Sequence, residues 1–462
     1  QASYLDRIDL FDHEFFGITQ AQAALTDPHQ RLLLRTAYRA LEDAGYVGPR
    51  VRGTRTGVYI GFAANPGGNY ADYWSTVDAS LSQLGITGNI PTMLANRLSY
   101  LLDLHGPSMV IDSACSASLV AVHLARTALL ADDCDLALVA GVRVMLLPLK
   151  RAATRIGIES SDGLTRTFDE SADGTGMGEG SGALVLKRLD RALADRDQIL
   201  AVIKGSAVNH DGNSDSMTGP DAAAQARLLT DAWRRAGINP RTLTYLEVHG
   251  TATRVGDPAE IEGLTRAFRQ VTDERGFCAV GTVKTAIGYL FEASGVLGMI
   301  KAVQGLRNRQ IAPLPHLRRP NPEIDFAASP VRLPTGLEPW PERDGIRRCG
   351  VSAFGIGGTN AHVVLEEYVE PAPAPAARVG YLFTLSARTD RSLRLTAHAL
   401  RDRLARGDLD GRLADICYTA NVSRGHHRRR VGLVVRDVGE LRDALAAVAA
   451  GDPPPAGVGD DE

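Results

Sequence analysis

The feature that most constrains the fold is a series of short apolar segments that recurs through the first 366 residues. These segments lack strict polar–apolar alternation, which is typical of strands that helices cover on both faces. Stretches with helical patterns lie between them, for example Asp27–Ala44 and Asp221–Ala236. The alternation of the two kinds of segment predicts an α/β protein. The predicted strands are Gly57–Ile60, Met109–Ile111, Leu136–Ala140, Gly182–Leu186, Ile199–Lys204, Thr244–Val248, Ala279–Val283 and Ala361–Leu365.

The composition of the chain changes abruptly after these segments. Residues 367–380 read EYVEPAPAPAARVG, a run rich in proline and alanine that predicts an extended linker. Residues 381–450 have patterns of their own and predict a small α/β unit, whereas residues 451–462 predict a disordered tail. The large domain is therefore expected at residues 1–366. The elements predicted in the small unit are a helix through Leu393, Ala397, Leu400 and Leu404, a strand at Val431–Val435, and a helix through Leu441, Leu445 and Val448.

The charge and cysteine content exclude several classes of protein. A net charge of −3 argues against a nucleic-acid binder that neutralises phosphates, and the basic run His426–Arg430 is more typical of a solvated or docking face. Five cysteines without a Cys-x-x-Cys pair predict neither a disulfide framework nor a metal site. The chain has no apolar run of transmembrane length and does not begin like a signal peptide. We therefore expect a cytoplasmic protein, excised from a longer one, that does not bind membranes.

A strand, a tight turn of small residues and an apolar helix are predicted in succession at Met109–Ala125, MVIDSACSASLVAVHLA. Cys115 falls on the turn, where unpaired N–H groups and the helix dipole favour an anion and lower the pKa of a thiol. This residue is therefore a candidate nucleophile. A buried structural cysteine is the other interpretation, and this segment alone does not decide between them.

Two later segments add polar loops at the ends of predicted strands. Tyr245–Glu260, YLEVHGTATRVGDPAE, leads from a strand into a loop that opens with His249, at the kind of position where α/β sheets place reactive groups. Val351–Glu367, VSAFGIGGTNAHVVLEE, contains a glycine-rich turn whose N–H groups can approach a ligand as an oxyanion hole requires. Taken singly, a structural histidine and an ordinary turn explain these segments equally well.

Six motifs taken together resemble the ketosynthase (β-ketoacyl synthase) domains of modular polyketide synthases, over nearly the whole chain. The resemblance implies a thiolase-like fold of two similar α/β halves in α/β/α/β/α layers, paired into a homodimer. Residues 381–450 resemble the linker-adaptor that follows such domains. Family members begin with a further strand and helix, so we expect the first half-sheet to lack a strand. The motifs are DPHQRLLL (Asp27–Leu34), GPSMVIDSACSAS (Gly106–Ser118), FDESADGTGMGEGSGALVLKRL (Phe168–Leu189), EVHGTATRVGDPAE, VKTAIGYLFEASG (Val283–Gly295) and GIGGTNAHVVLEE.

The resemblance also implies roles for individual residues. Cys115 matches the cysteine that accepts the acyl chain, and His249 matches the first catalytic histidine. Lys284 matches a lysine that organises the site. The N–H groups of Cys115 and Ile356 match the oxyanion hole.

Substrate binding is implied at a second set of residues. The substrate would arrive on the phosphopantetheine arm of an acyl carrier protein, so no cofactor bound by the domain itself and no metal is expected. Thr251 and Thr253 match threonines that hydrogen-bond this arm, and Phe354 and Ile356 match a loop that gates access to the cysteine. Asn360 is assigned to the same binding region. Neighbouring polyketide synthase domains are the other expected partners.

The sequence departs from the family pattern mainly in one loop. Tyr289 stands where the family has its second catalytic histidine, Ala286 replaces an asparagine, and Phe291 replaces an acidic residue, with Glu292 displaced by one position. Ala252 replaces a glycine between the two threonines. A phenol can donate a hydrogen bond to an oxyanion, but it cannot carry protons at pH 7 as imidazole does. Loss of a positioned acid–base group typically costs roughly 10²–10⁴-fold in rate.

The leading interpretation is an acyltransferase that loads an acyl chain on Cys115 but performs decarboxylative Claisen condensation poorly. A condensing ketosynthase, or one that forms a different bond with the help of Tyr289, is the nearest alternative. A non-catalytic scaffold for dimerisation and carrier-protein docking is a third. A hydrolase with a Cys–His pair fits the residue types, but not the glycine-rich turn and the paired threonines.

Overall fold

A computed structural model of the chain describes residues 2–63, 70–77, 85–146, 157–214, 216–370 and 379–452. Its first sheet has four strands: β1 (Thr56–Gly61), β2 (Ser108–Ile111), β3 (Leu136–Arg143) and β4 (Gly180–Lys187). The second sheet has six strands: β5 (Ala201–His210), β6 (Leu243–Glu247), β7 (Cys278–Gly281), β8 (Val331–Arg332), β9 (Arg348–Phe354) and β10 (Thr359–Glu367).

The two sheets repeat one topology. In the order β2-β1-β3-β4, β1 is parallel to both its neighbours and β3 is antiparallel to β4. In the order β7-β6-β9-β10, β6 is parallel to both its neighbours and β9 is antiparallel to β10. The second sheet continues with β5 beside β10, and no described strand takes the corresponding place beside β4.

Helices form the layers between and outside the sheets. The long helices of this part are α1 (Pro28–Asp43), α2 (Met93–Leu102), α3 (Ala117–Leu130), α4 (Ala222–Ala236), α5 (Gly256–Phe268) and α6 (Ser294–Asn308). Helices α3 and α6 share one apolar cluster with strands of both sheets, which makes them the central layer. Helix α3 is apolar around most of its circumference, as a helix between two sheets must be. Helices α4 and α5 cover the outer face of the second sheet.

Shorter elements connect these layers. They are the helices Gln20–Leu25, Tyr70–Val77, Ile86–Asn89, Leu189–Ala194 and Lys284–Ile287, and the two-residue strands Ala2–Ser3, Met177–Gly178, Gln310–Ile311 and Glu338–Pro339. Within the described ranges, no helix is both long and apolar enough to span a membrane.

The eight predicted strands all overlap strands of these two sheets, but the sequence interpretation missed the two-residue strand β8 and the longer strand β9. Its sequence, RCGVSAF, places Arg348, Gly350 and Ser352 among the apolar residues and so breaks the apolar run. The strand is nevertheless central, because it pairs with β6 on one side and β10 on the other.

The chain divides into two compact units, Gln1–Ala37 with Thr54–Val369, and Tyr38–Gly53 with Glu370–Glu462. In the second unit, β11 (Tyr381–Ala387) pairs antiparallel with β12 (Arg429–Val435). This unit also contains the helices α7 (Asp390–Leu404), α8 (Leu413–Val422) and α9 (Val438–Ala450). Its core includes Phe383, Leu393, Leu433 and Leu441. The elements β11 and α8 were not predicted. Most of the predicted linker and tail, residues 371–378 and 453–462, lies outside the described residues.

Candidate active site

The predicted reactive residues follow the carboxyl ends of parallel strands in both sheets, where α/β proteins place their sites. Cys115 follows β2, His249 follows β6, and both Lys284 and Tyr289 follow β7. Since β2 and β7 occupy equivalent positions in the repeated topology, Cys115 and Tyr289 lie on equivalent loops of the two halves.

Cys115 lies on a single helical turn, Ala114–Ser116, immediately before α3. Ala114 has a φ of +52° and its N–H donates to Asp112 Oδ1 at 3.0 Å, so the turn is sharp. The cysteine is only 8% exposed. Burial raises the pKa of its thiol, and the Tyr289 hydroxyl and the N–H of Ile356 lower that pKa less. The net direction is therefore opposite to the expectation from the helix terminus, because desolvation outweighs the nearby donors.

Tyr289 is 1% exposed and shares a small buried cluster with Cys115, where its hydroxyl acts to lower the pKa of the thiol. The Phe291 ring stacks on the Tyr289 ring with centroids 4.7 Å apart, and the His249 ring meets it edge-on at 5.8 Å. Lys284 Nζ lies 5.2 Å from the centroid of the Tyr289 ring. Burial raises the pKa of Tyr289 well above its ordinary value, so the side chain stays a neutral phenol.

The backbone on both sides of Tyr289 is fixed by short contacts. Its N–H donates to the carbonyl of Gly176 at 2.7 Å, and its carbonyl accepts the N–H of Gly178 at 3.0 Å. The preceding Gly288 has a φ of +79°, and a Cβ there would meet the carbonyl oxygen of Met177 at 2.6 Å. The loop therefore holds the phenol in one place.

His249 is held by its backbone and is neutral. Its N–H and that of Gly250 each donate to a different oxygen of Glu260, at 2.7 Å. Its Nδ1 accepts the N–H of Phe354 at 3.4 Å, which assigns the proton of the neutral ring to Nε2. Burial, followed by the charge of Lys284, lowers the pKa of His249 well below its ordinary value.

Lys284 is fully enclosed beside three carboxyl groups. Burial lowers the pKa of its ammonium to about 8, while Glu247, Glu260 and Asp257 act in the opposite direction. Burial likewise raises the pKa of Glu260, and of Asp257, to about 7. Asp257 and Glu260 accept backbone N–H groups and so fix the backbone around the site.

The loop after His249 is anchored by Asp257 and contains a strained residue. Asp257 accepts the N–H groups of Ala252 at 3.0 Å and Phe168 at 2.7 Å. Ala252 has a φ of +59°, in the left-handed region that glycine adopts at no steric cost. The alanine that replaces the family's glycine therefore keeps the glycine's conformation.

The residues assigned to substrate and pantetheine binding lie in two segments of the chain, residues 251–253 and 354–360. Thr251 and Thr253 are joined through their hydroxyl oxygens, 3.1 Å apart, and Thr253 also accepts the N–H of Gly256 at 3.2 Å. Asn360 is buried and donates to Asp211 Oδ1 at 2.6 Å. Ile356 lies in an exposed loop after β9, whereas Phe354 is the last residue of that strand. Their roles toward a substrate stay predictions.

Sequence reasoning missed Arg143, the last residue of β3. Its guanidinium carbon lies 4.6 Å from the centroid of the Phe291 ring, and its Nη1 lies 3.5 Å from Glu292 Oε1. The sequence feature that could have indicated Arg143 is its position as a charged residue between the apolar residues Val142 and Val144. In the part of the chain that the structure describes, no three His, Cys, Asp or Glu side chains form a group that could hold a metal ion.

Family models match most of the chain. The β-ketoacyl synthase N-terminal domain matches residues 1–192, the C-terminal domain matches 200–318, and the ketoacyl-synthetase C-terminal extension matches 320–431. One of the phenolphthiocerol/phthiocerol polyketide synthase proteins of Mycobacterium tuberculosis is 41% identical over 96% of this chain, and polyketide synthase PksN of Bacillus subtilis is 39% identical over 96%. The chain spans only 28% and 8% of these two relatives.

Solved structures agree with these matches. The ketosynthase from module 6 of the Bacillus subtilis bacillaene synthase has a TM-score of 0.88 and 38% identity, covering 97% of this chain and 77% of that one. The oxazolomycin ketosynthase domain OzmH KS7 of Streptomyces albus has a TM-score of 0.88 and 37% identity, covering 97% and 78%. The predicted thiolase-like α/β fold is thus confirmed. The chain belongs to the β-ketoacyl synthase family, as a ketosynthase domain of the polyketide synthase type with its C-terminal extension.

Proposed function

We propose that this ketosynthase accepts an acyl chain as a thioester on Cys115 and passes it on largely without elongating it. The observation that carries the proposal is the place of Tyr289, which shares a buried cluster with Cys115 at the position where the resemblance expects a second histidine. Its hydroxyl lowers the pKa of the Cys115 thiol and so favours a thiolate, which is the species needed for both loading and unloading.

Loading is a thioester exchange in which atoms and electrons balance. The Cys115 thiolate attacks the carbonyl carbon of an acyl group on the phosphopantetheine arm of a carrier protein. A new carbon–sulfur bond forms, the bond to the carrier sulfur breaks, and that sulfur leaves as a thiolate and takes up the proton that Cys115 gave up. The resemblance assigns the N–H of Ile356 to the oxyanion hole, and because this N–H also lowers the pKa of the Cys115 thiol, we expect it to stabilise the tetrahedral oxyanion.

Unloading runs the same exchange in the opposite direction. A carrier thiolate attacks the acyl carbon, and Cys115 departs as a thiolate. The Tyr289 hydroxyl then stabilises the leaving group at the moment when negative charge returns to the sulfur. A group that favours the cysteine thiolate in both directions suits a domain that transfers chains.

Condensation demands more than these groups supply. A decarboxylating extender develops negative charge on an enolate, which needs two donors and a group that moves a proton. His249 is neutral and offers Nε2–H as one donor. Tyr289 lies against Cys115, and burial raises the pKa of the phenol, so it moves no proton near neutrality.

The partners follow from the same proposal. The acyl carrier protein would reach the sulfur past Thr251 and Thr253, and neighbouring synthase domains would supply and receive the chain in the cytosol. A second copy would pair along β2, an edge strand where Met109 is 38% exposed and Tyr100 of α2 is 84% exposed. Light scattering tests this dimer: Met109→Lys should yield monomers, and a dimer unchanged by the variant would overturn this placement.

Intact-protein mass spectrometry tests the transfer function. Acyl-pantetheine thioesters should add one acyl mass to the wild type and none to Cys115→Ser. A carrier protein with a free pantetheine thiol should then remove the acyl mass. If the loaded protein instead consumes a malonyl thioester and releases CO2 at the rate of an ordinary ketosynthase, the non-elongating part of the proposal is wrong.

A further inference from the structure

Arg143 and Glu292 form a buried ion pair beside the proposed transfer site. The Arg143 side chain is 11% exposed and the Glu292 side chain 1%. Their closest approach is 3.5 Å, and within the described residues Arg143 Nε and Glu292 Oε1 lack hydrogen-bond partners. Burying two charges is costly, and apolar residues often replace such a pair without loss of stability. Stability alone therefore does not account for it.

A continuous series of contacts leads from this pair to the reactive sulfur. The Arg143 guanidinium lies over the Phe291 ring at 4.6 Å. The Phe291 ring stacks on the Tyr289 ring at 4.7 Å, with only 24° between their planes. Both rings in turn form a small buried cluster with Cys115.

The backbone of Phe291 indicates that its ring is held by its surroundings. It has a φ of +46°, in the left-handed region that a bulky residue rarely adopts. A ring on such a backbone keeps its place when contacts on both faces constrain it. Here Tyr289 covers one side and the Arg143 guanidinium attracts the other.

We propose that Arg143, anchored by Glu292, is a positioning residue that holds Phe291 against Tyr289 and so keeps the Tyr289 side chain against Cys115. Arg143 is not a catalytic residue, because it reaches the reacting atoms only through the two rings. The inference rests on the proposed function, since it explains how the thiolate donor of the transfer site is kept in place. Arg143 and Phe354 end the equivalent strands β3 and β9, so each half-sheet ends in a residue that supports a site side chain.

The experiment measures how the rate of Cys115 alkylation by iodoacetamide depends on pH. Labelling of the other cysteines is excluded by peptide mapping, or by removing them with Cys134→Ser, Cys278→Ala, Cys349→Ala and Cys417→Ala. Charged and titratable groups that face the sulfur are Tyr289, Glu292 and Lys284, with His249 against the Tyr289 ring. Because Glu292 itself raises the pKa of the thiol, the matched comparison is Glu292→Gln against Arg143→Met/Glu292→Gln. The two differ only at Arg143, and neither leaves a buried carboxylate unpaired.

Loss of Arg143 in this background should slow alkylation at pH 7 about tenfold and move the profile to higher pH, as Tyr289→Phe does. In the Tyr289→Phe background, the same loss should have no further effect. Arg143→Lys keeps the charge but not the flat guanidinium, so its profile should lie between those of the wild type and Tyr289→Phe. A merely structural arginine would lower thermal stability and leave the profile where it was.

The outcomes separate this inference from the proposal on which it rests. A profile that moves in Tyr289→Phe but not on loss of Arg143 overturns the positioning role alone. A profile that does not move even in Tyr289→Phe overturns the Tyr289 role in transfer, and this inference with it. Effects of Arg143 and Tyr289 that simply add also contradict it, because independent residues would behave in that way.

Discussion

Tyr289 and Cys115 lie side by side in a small buried cluster, and the Tyr289 hydroxyl lowers the pKa of the Cys115 thiol. The two residues come from equivalent loops of the two half-sheets, and both are almost inaccessible to solvent. In the proposed function, Tyr289 serves the thiolate instead of the extender. We therefore expect substitutions at Tyr289 and around it to separate chain transfer from condensation.

Tyr289→Phe should slow the alkylation of Cys115 and its loading by an acyl thioester about tenfold at pH 7. The Tyr289 hydroxyl lowers the pKa of the thiol, so its removal raises that pKa and moves the rate profile to higher pH. Initial rates of iodoacetamide labelling between pH 6 and about pH 9 measure the shift. Identical profiles for Tyr289→Phe and the wild type would mean that the hydroxyl does not act on the thiolate.

Tyr289→His should raise decarboxylative condensation by roughly 10²–10⁴-fold, since imidazole restores a group that donates and accepts protons near pH 7. The measurement is CO2 release from a malonyl thioester in the presence of the acylated domain. Tyr289→Gln is the matched control, because an amide donates hydrogen bonds without titrating. Equal rates in the wild type and Tyr289→His would show that Tyr289 is not what limits condensation.

Ala252→Gly should raise the free energy of unfolding by roughly 1 kcal/mol, since glycine adopts the φ of +59° without the steric cost that alanine incurs. Ala267→Gly in helix α5 is the control and should lower stability by a similar amount. Denaturant unfolding monitored by tryptophan fluorescence measures both. A loss of stability in Ala252→Gly would contradict the assignment of strain to this position.

Glu292→Ala should lower the free energy of unfolding by about 3–5 kcal/mol, because it leaves the Arg143 guanidinium buried without a counter-charge. Arg143→Met/Glu292→Ala should recover much of this loss. Glu262→Ala, at an exposed pair with Arg266, is the control and should leave unfolding nearly unchanged. If Glu292→Ala changes the free energy of unfolding as little as Glu262→Ala does, Arg143 and Glu292 are not a coupled buried pair.

Much of the fold was predictable because strands buried on both faces leave continuous apolar runs. Strand β9 was missed where Gly350 interrupts the run, and the structure shows why a glycine stands there: a Cβ would meet the His362 ring at 2.5 Å. Strand β11 was missed because it follows directly on the proline- and alanine-rich segment. The reason for Gly350 is not visible in local periodicity, since it depends on what packs against the strand.

The site residues that lie in sequence motifs were predictable, whereas those brought to the site only by the topology of the fold were not. The motifs contain Cys115, His249 and Tyr289, and the structure brings all three together around the phenol ring. Arg143 was missed because its partner Glu292 lies in the other half of the repeat. The two residues come into contact only when the two halves pack together. The direction of the Cys115 pKa was missed because burial is a property of the folded chain.

The measurement that tests the central claim most directly is a single-turnover experiment on the wild type, loaded with an acyl chain and then offered a malonyl thioester and a carrier protein with a free pantetheine thiol. Intact-protein mass spectrometry follows the acyl mass on Cys115 while CO2 release is recorded in parallel. We predict that the acyl mass moves unchanged to the carrier protein with almost no CO2. Transfer of a chain lengthened by two carbons, with one CO2 released for each, would contradict the account.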